Sequence, residues 1–108
     1  LTTITVLGIP WEIFRAPQPP AEIGALHGGC ADHMLKEIVL IDSSPEEMLH
    51  LLLHELLHVV DGYLSLGMRE DTIRRLAYGL NQVFTANKMV CPDLITKKYW
   101  TALKEKTA

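Results

Sequence analysis

Apolar and polar residues alternate over positions 2–7 (TTITVL) and again over 11–14 (WEIF), with Gly8, Ile9 and Pro10 between them. Period-two runs rich in β-branched and aromatic residues predict two short strands. The stretch 15–20 (RAPQPP) carries three prolines and no apolar period, so it reads as a loop or extended connector. Residues 25–30, ending in Gly28-Gly29, and residues 36–41 (KEIVLI) predict two more strands, with 31–35 as the tip of a hairpin between them.

From Ser44 the period changes from two to that of a helix. Ser44 suits an N-cap, Pro45 the first helical position and Glu47 the capping-box position three residues after the cap, so a helix is expected from Pro45 to about Tyr63. A second helix is expected to begin between Met68 and Asp71, with Ile73, Leu76, Ala77, Leu80 and Phe84 at helical spacing, and to end near Asn87-Lys88. Pro92-Asp93 predicts the start of a third, running through Tyr99, Trp100 and Leu103. Residues 1–43 are thus mainly strands and loops and 44–108 mainly helical. That order predicts one α+β domain, a small antiparallel-rich sheet packed on the first helix with two further helices.

The first helix carries His-Glu-Leu-Leu-His at 54–58. Residues four apart stand one turn, about 5.4 Å, from each other on one face, so His54 and His58 can aim two imidazoles at one metal ion. Glu55 lies about 100° round the axis, near enough to serve as base toward a water on that metal without being a ligand. An open catalytic zinc site takes three protein ligands and a water, whose pKa falls toward about 7. A buried helix does not ordinarily carry two histidines and a glutamate without partners, which favours the metal reading over chance.

The third ligand must come from elsewhere in the chain. Glu70 projects toward the side of the second helix that holds Leu76, Ala77 and Leu80, and is the expected ligand; Asp71 is the reserve, because a shift of one residue in the helix start exchanges the two. Asp61 is expected to cap or to support a ligand more than to coordinate, and His50 to be a half-exposed or hydrogen-bonded histidine near the sheet. His27, His33, Tyr63 and Tyr78 are open candidates for stabilising an oxyanion, with nothing to choose among them.

Composition narrows the partners. A chain of 108 residues with 48% hydrophobic and 21% charged residues has the usage of a single globular domain. A net charge of −3 offers no footprint for nucleic acid, and lysines 97, 98, 104 and 106 suit the end of a helix. No apolar run of membrane-spanning length and no targeting signal is visible, so a cytoplasmic protein away from membranes is the expectation. Cys30 and Cys91 lack metal or redox spacing; reduced thiols are the simplest reading, with a single disulfide left open.

The runs LLHELLHVVDGY (52–63) and EDTIRRLAYGL (70–80) resemble the zincin metallopeptidases whose third ligand is a glutamate, and more narrowly small phage-type proteins related to the ImmA/IrrE peptidases. The likeness covers 44–87, with a looser match at 36–41. It departs at Arg74, where thermolysin-like chains carry an acid, and at Thr72, where ImmA/IrrE proteins carry their glutamate. The resemblance implies a zinc-dependent endopeptidase acting on a protein or peptide substrate, in a regulatory cleavage such as that of a phage repressor, with a partner protein or oligomer aiding selection. It also implies that a strand beside the motif helix, here Glu37–Leu40, pairs with the extended substrate. The competing expectation is an idle zincin-fold binding module with a structural or vestigial metal.

Overall fold

The first hairpin forms because Leu7 and Gly8 both adopt positive φ, 51° and 84°, as a two-residue turn between right-twisted strands demands. In the computed structural model, which describes residues 2–16, 29–89 and 101–102, this turn joins β1 (Thr2–Val6) to β2 (Ile9–Ala16) in antiparallel register. Pro10 pairs with Thr5 of β1 and lies ahead of the stretch Glu12–Ala16 that meets the strand on the other side, so its missing N–H costs no ladder bond there.

Two further strands, β3 (Gly29–Asp32) and β4 (Glu37–Ile41), form an antiparallel hairpin. Its tip is closed by Asp32, whose carboxylate accepts from the backbone N–H groups of Met34 and Leu35 at 2.9 and 3.1 Å. The tip therefore follows Asp32, where the sequence predicted a turn over 31–35, and β3 extends past the predicted end at Cys30. Residues 25–28 of that predicted strand lie outside the described residues.

The sheet order is β1-β2-β4-β3, and β4 runs parallel to β2. The sheet is mixed, not antiparallel-rich as expected. Burial accounts for this. Ile13, Ile38 and Leu40 pack toward the helices while Phe14 and Val39 are buried in a separate cluster, so β2 and β4 are covered on both faces and belong side by side at the sheet's centre. A short strand, β5 (Thr101–Ala102), runs parallel to β2 at Phe14 and Arg15. It lies in the range predicted as a third helix; the rest of that helix, 92–100 and Leu103, falls outside the described residues, as do Cys91 and the lysine cluster. Among the described residues there are two helices.

The first, α1 (Pro45–Leu64), begins as the capping signals predict, with the Ser44 hydroxyl accepting from Glu47 N–H at 3.3 Å. It is sandwiched. Met48, Leu52 and Val59 pack with Trp11, Ile13, Ile38 and Leu40 of the sheet, while Leu49 and Leu53 pack with Ala77 of α2 (Glu70–Ala86). This double burial explains why the segment 51–60 is apolar on nearly every side. On α2, Ile73 and Ala77 are buried and Leu80 and Phe84 partly so, but Leu76 is exposed, against expectation, because the helix meets α1 along a narrow stripe. No helix among the described residues is long and apolar enough to cross a membrane.

The connection between the helices is tight. Ser65 takes the left-handed conformation and donates its N–H to the Asp61 carbonyl, Gly67 has φ 67°, and the Asp61 carboxylate accepts from Met68 N–H at 2.9 Å. This reversal folds α2 back along α1 and places the first residue of α2 opposite the motif histidines.

Candidate metal centre

His54 and His58 project from α1 with their ring centroids 5.0 Å apart, as residues four apart on a helix must. Glu70, the first residue of α2, meets both. His54 Nε2 lies 2.7 Å from one carboxylate oxygen and His58 Nε2 2.8 Å from the other. One ligand atom from each of the three residues falls within 4.8 Å of the others, so the group could hold a metal ion. Zinc bonds of about 2.0–2.1 Å in tetrahedral array set ligand atoms roughly 3.3 Å apart. The group therefore fits in donor type and scale, the carboxylate needing to withdraw by about half an ångström.

Glu70 reaches this position although its side chain is 62% exposed. Glu70 was expected to face the core; the tight reversal, not burial, brings its carboxylate to the histidines. Asp71, the reserve ligand, points elsewhere and pairs with Arg74 and Arg75. Asp61 is outside the group of His54, His58 and Glu70; its carboxylate holds the interhelical turn through Met68 N–H and caps neither helix.

The group opens into a cleft of about 400 Å³ whose other walls include Gly29, Cys30 and Ala31 of β3, His33, and Glu55. Glu55 is buried, with 7% of its surface exposed, and that burial, reinforced by the negative charge of Glu70, raises its carboxyl to about 7. His54 is shifted the other way, its pKa lowered by burial against the raising effect of Glu70. A neutral imidazole is the form that binds metal. Burial and the charges of Glu55 and Asp32 push the Cys30 thiol up, which keeps it protonated on the cleft wall.

Glu55 makes a prediction for the metal-free protein. A carboxyl raised in the folded state contributes stability that is fully present below its unfolded value near 4.5 and is lost as pH rises through about 7. With metal chelated, Glu55→Gln should therefore match the parent at pH 4 and exceed it at pH 8 by on the order of 3 kcal/mol. Urea unfolding of both proteins at the two pH values measures this; His54 opposes the trend but is common to both. Equal stability at pH 8 would contradict the assigned burial.

Of the four residues open as oxyanion partners, His33 lies on the cleft wall, Tyr63 braces it, Tyr78 lines a different cleft and His27 is outside the described residues. The His33 ring stands edge-on to Trp11 and Tyr63, centroids 5.1 and 5.3 Å away, and Trp11 Nε1 donates to the Tyr63 hydroxyl at 3.0 Å. A Cβ on Gly62 would come within 2.8 Å of this ring. Gly62 follows His58 by four residues, so the ring sits one turn beyond the second histidine. A glycine inside a helix, costing about 1 kcal/mol against alanine, was the one sequence signal of this approach. The brace of Trp11 and Tyr63 joins residues 52 apart and left no local signal.

Comparisons with protein-family models, with curated proteins and with solved structures found no match to this chain.

Proposed function

We propose that the protein is a zinc-dependent metallopeptidase of zincin type, an endopeptidase acting on an extended segment of a protein or peptide. The observation that carries this reading is the convergence of His54, His58 and Glu70 in one open cleft with the buried carboxyl of Glu55 on its wall. Two imidazoles and one carboxylate are the ligand set of an open zinc site, whereas a closed structural site takes four protein ligands. Bound there, zinc would supply Lewis acidity toward a carbonyl and toward water.

The chain's own groups do the rest. Glu55 takes a proton from the attacking water on its carboxylate, the water oxygen adds to the carbonyl carbon, and the proton passes to the departing amine nitrogen as the C–N bond breaks. A cation nearby favours the carboxylate form that this requires, offsetting the upward shift that burial imposes. His33, held by its aromatic neighbours, donates to the carbonyl oxygen as negative charge grows on it.

The strand that lines the cleft is β3 and not the expected Glu37–Leu40 segment. β4 lies between β2 and β3 with both edges paired, so no substrate can add to it. The outer edge of β3 has no neighbour among the described residues and borders the cleft, which makes it the surface for an extended substrate. Selection of that segment by a partner protein or by oligomerisation belongs to the same proposal.

The test is exposure of the zinc-loaded protein to a proteome-derived peptide mixture, with new termini read by mass spectrometry. Cleavages that vanish on chelation and return with zinc support the reading; an unchanged mixture under both conditions would favour the binding module. In the same assay His33→Ala should cleave about 10²-fold more slowly. Gly62→Ala should slow cleavage by displacing the His33 ring, although it adds about 1 kcal/mol of helix propensity. Full activity in both variants would remove His33 from the mechanism.

A further inference from the structure

A second cleft, of about 390 Å³, lies between α1 and α2 and is lined by His50, Arg74, Arg75 and Tyr78. His50 was expected near the sheet; the structure turns it instead toward α2. His50 precedes His54 by four residues and Arg74 follows Glu70 by four, so on each helix the cleft is reached one turn beyond the metal group, on the side away from His33.

The lining is uniform in chemistry. Each of the four side chains can donate a hydrogen bond and none is an acid. Asp71, on the next face of α2, pairs with both Arg74 and Arg75, so one carboxylate is shared between two guanidinium groups. Arginines paired with an acid three or four residues earlier are ordinary on a helix surface and worth little. What distinguishes these is that they converge with groups of another helix on a concavity. Five N–H groups in a planar fork match a carboxylate in two-point contact, and Asp71 does not use them all.

We propose that this cleft binds a carboxylate presented by a peptide. The cleft's affinity for a carboxylate stands apart from hydrolysis. Its role in choosing a cleavage site rests on the metallopeptidase reading. An extended chain advances about 3.4 Å per residue against about 5.4 Å per helical turn, so the recognised acid falls one or two residues from the carbonyl at the metal group.

Three short peptides test it: acetyl-Gly-Glu-Gly amide, its glutamine counterpart, and acetyl-Gly-Gln-Gly with a free C-terminus. Each is titrated into the full chain while the His50 ring proton, assigned with His50→Gln, is followed by NMR. The glutamate peptide should give a saturating shift at least tenfold tighter than the glutamine amide, and Arg74→Gln/Arg75→Gln should lose that saturation while still taking up zinc. Saturation by the free C-terminus instead would support carboxylate recognition and assign it to chain ends. Equal responses to the glutamate and glutamine amides with no response to the free C-terminus, or an unaltered response in the double variant, would overturn it. None of these outcomes depends on catalysis, so failure here and failure of the peptidase reading are read separately.

Discussion

Glu55→Gln should take up zinc as the parent does and yet cleave peptides at least about 10³-fold more slowly. Proton transfer by a positioned side chain contributes about 10²–10⁴ in rate, and glutamine keeps the shape of glutamate while losing the ability to take a proton. The carboxyl is on the cleft wall but outside the group His54, His58 and Glu70, so metal uptake does not require it. The substitution also relieves a buried acid whose ionisation the fold resists, so the variant should be at least as stable as the parent above pH 7. A slow variant that is also zinc-free would indicate instead that Glu55 supports coordination.

Zinc should stabilise the parent, and this stabilisation should disappear in His54→Ala and His58→Ala. A ligand that binds only the folded chain at a hundred times its Kd adds about 2.7 kcal/mol. For a domain of this size that corresponds to a rise in Tm of roughly 10 °C or more. Glu70→Ala should lose most of the rise, since Glu70 contacts both imidazoles at 2.7 and 2.8 Å. Asp71→Ala should keep it, because that carboxylate is engaged by Arg74 and Arg75. Thermal unfolding with and without zinc separates these cases, and a loss in Asp71→Ala equal to that in Glu70→Ala would exchange the two roles.

The parts of this fold that were legible in the chain are those set by local chemistry. The Ser44 cap, the apolar period of α1 and the four-residue spacing of His54 and His58 are properties of contiguous segments, and the structure reproduces each. The meeting of Glu70 with both histidines was partly legible, because a short connection between two helices forces an antiparallel return. The parallel placement of β4 beside β2 was not. Nothing in residues 36–41 indicates which strand lies alongside them, and the choice is made by burial of Ile38, Val39 and Leu40 on two faces at once.

The same distinction separates the site's chemistry from its walls. His33 was visible only as one candidate among four, and its place depends on Trp11 of β2 meeting Gly62 and Tyr63 of α1, two elements far apart in sequence. The interior position of β4, between β2 and β3, was hidden for the same reason, since edge status is a property of the whole sheet. Leu76 shared the helical spacing of its apolar neighbours but lies outside the stripe by which α2 meets α1.

The central claim is that three side chains from two helices form a zinc site, and equilibrium dialysis of the untagged protein against micromolar zinc tests it most directly. The account predicts about one zinc per chain in the parent and in Glu55→Gln, and none retained by His54→Ala or His58→Ala. A parent that emerges free of zinc, or alanine variants that retain it in full, would contradict the account at its base.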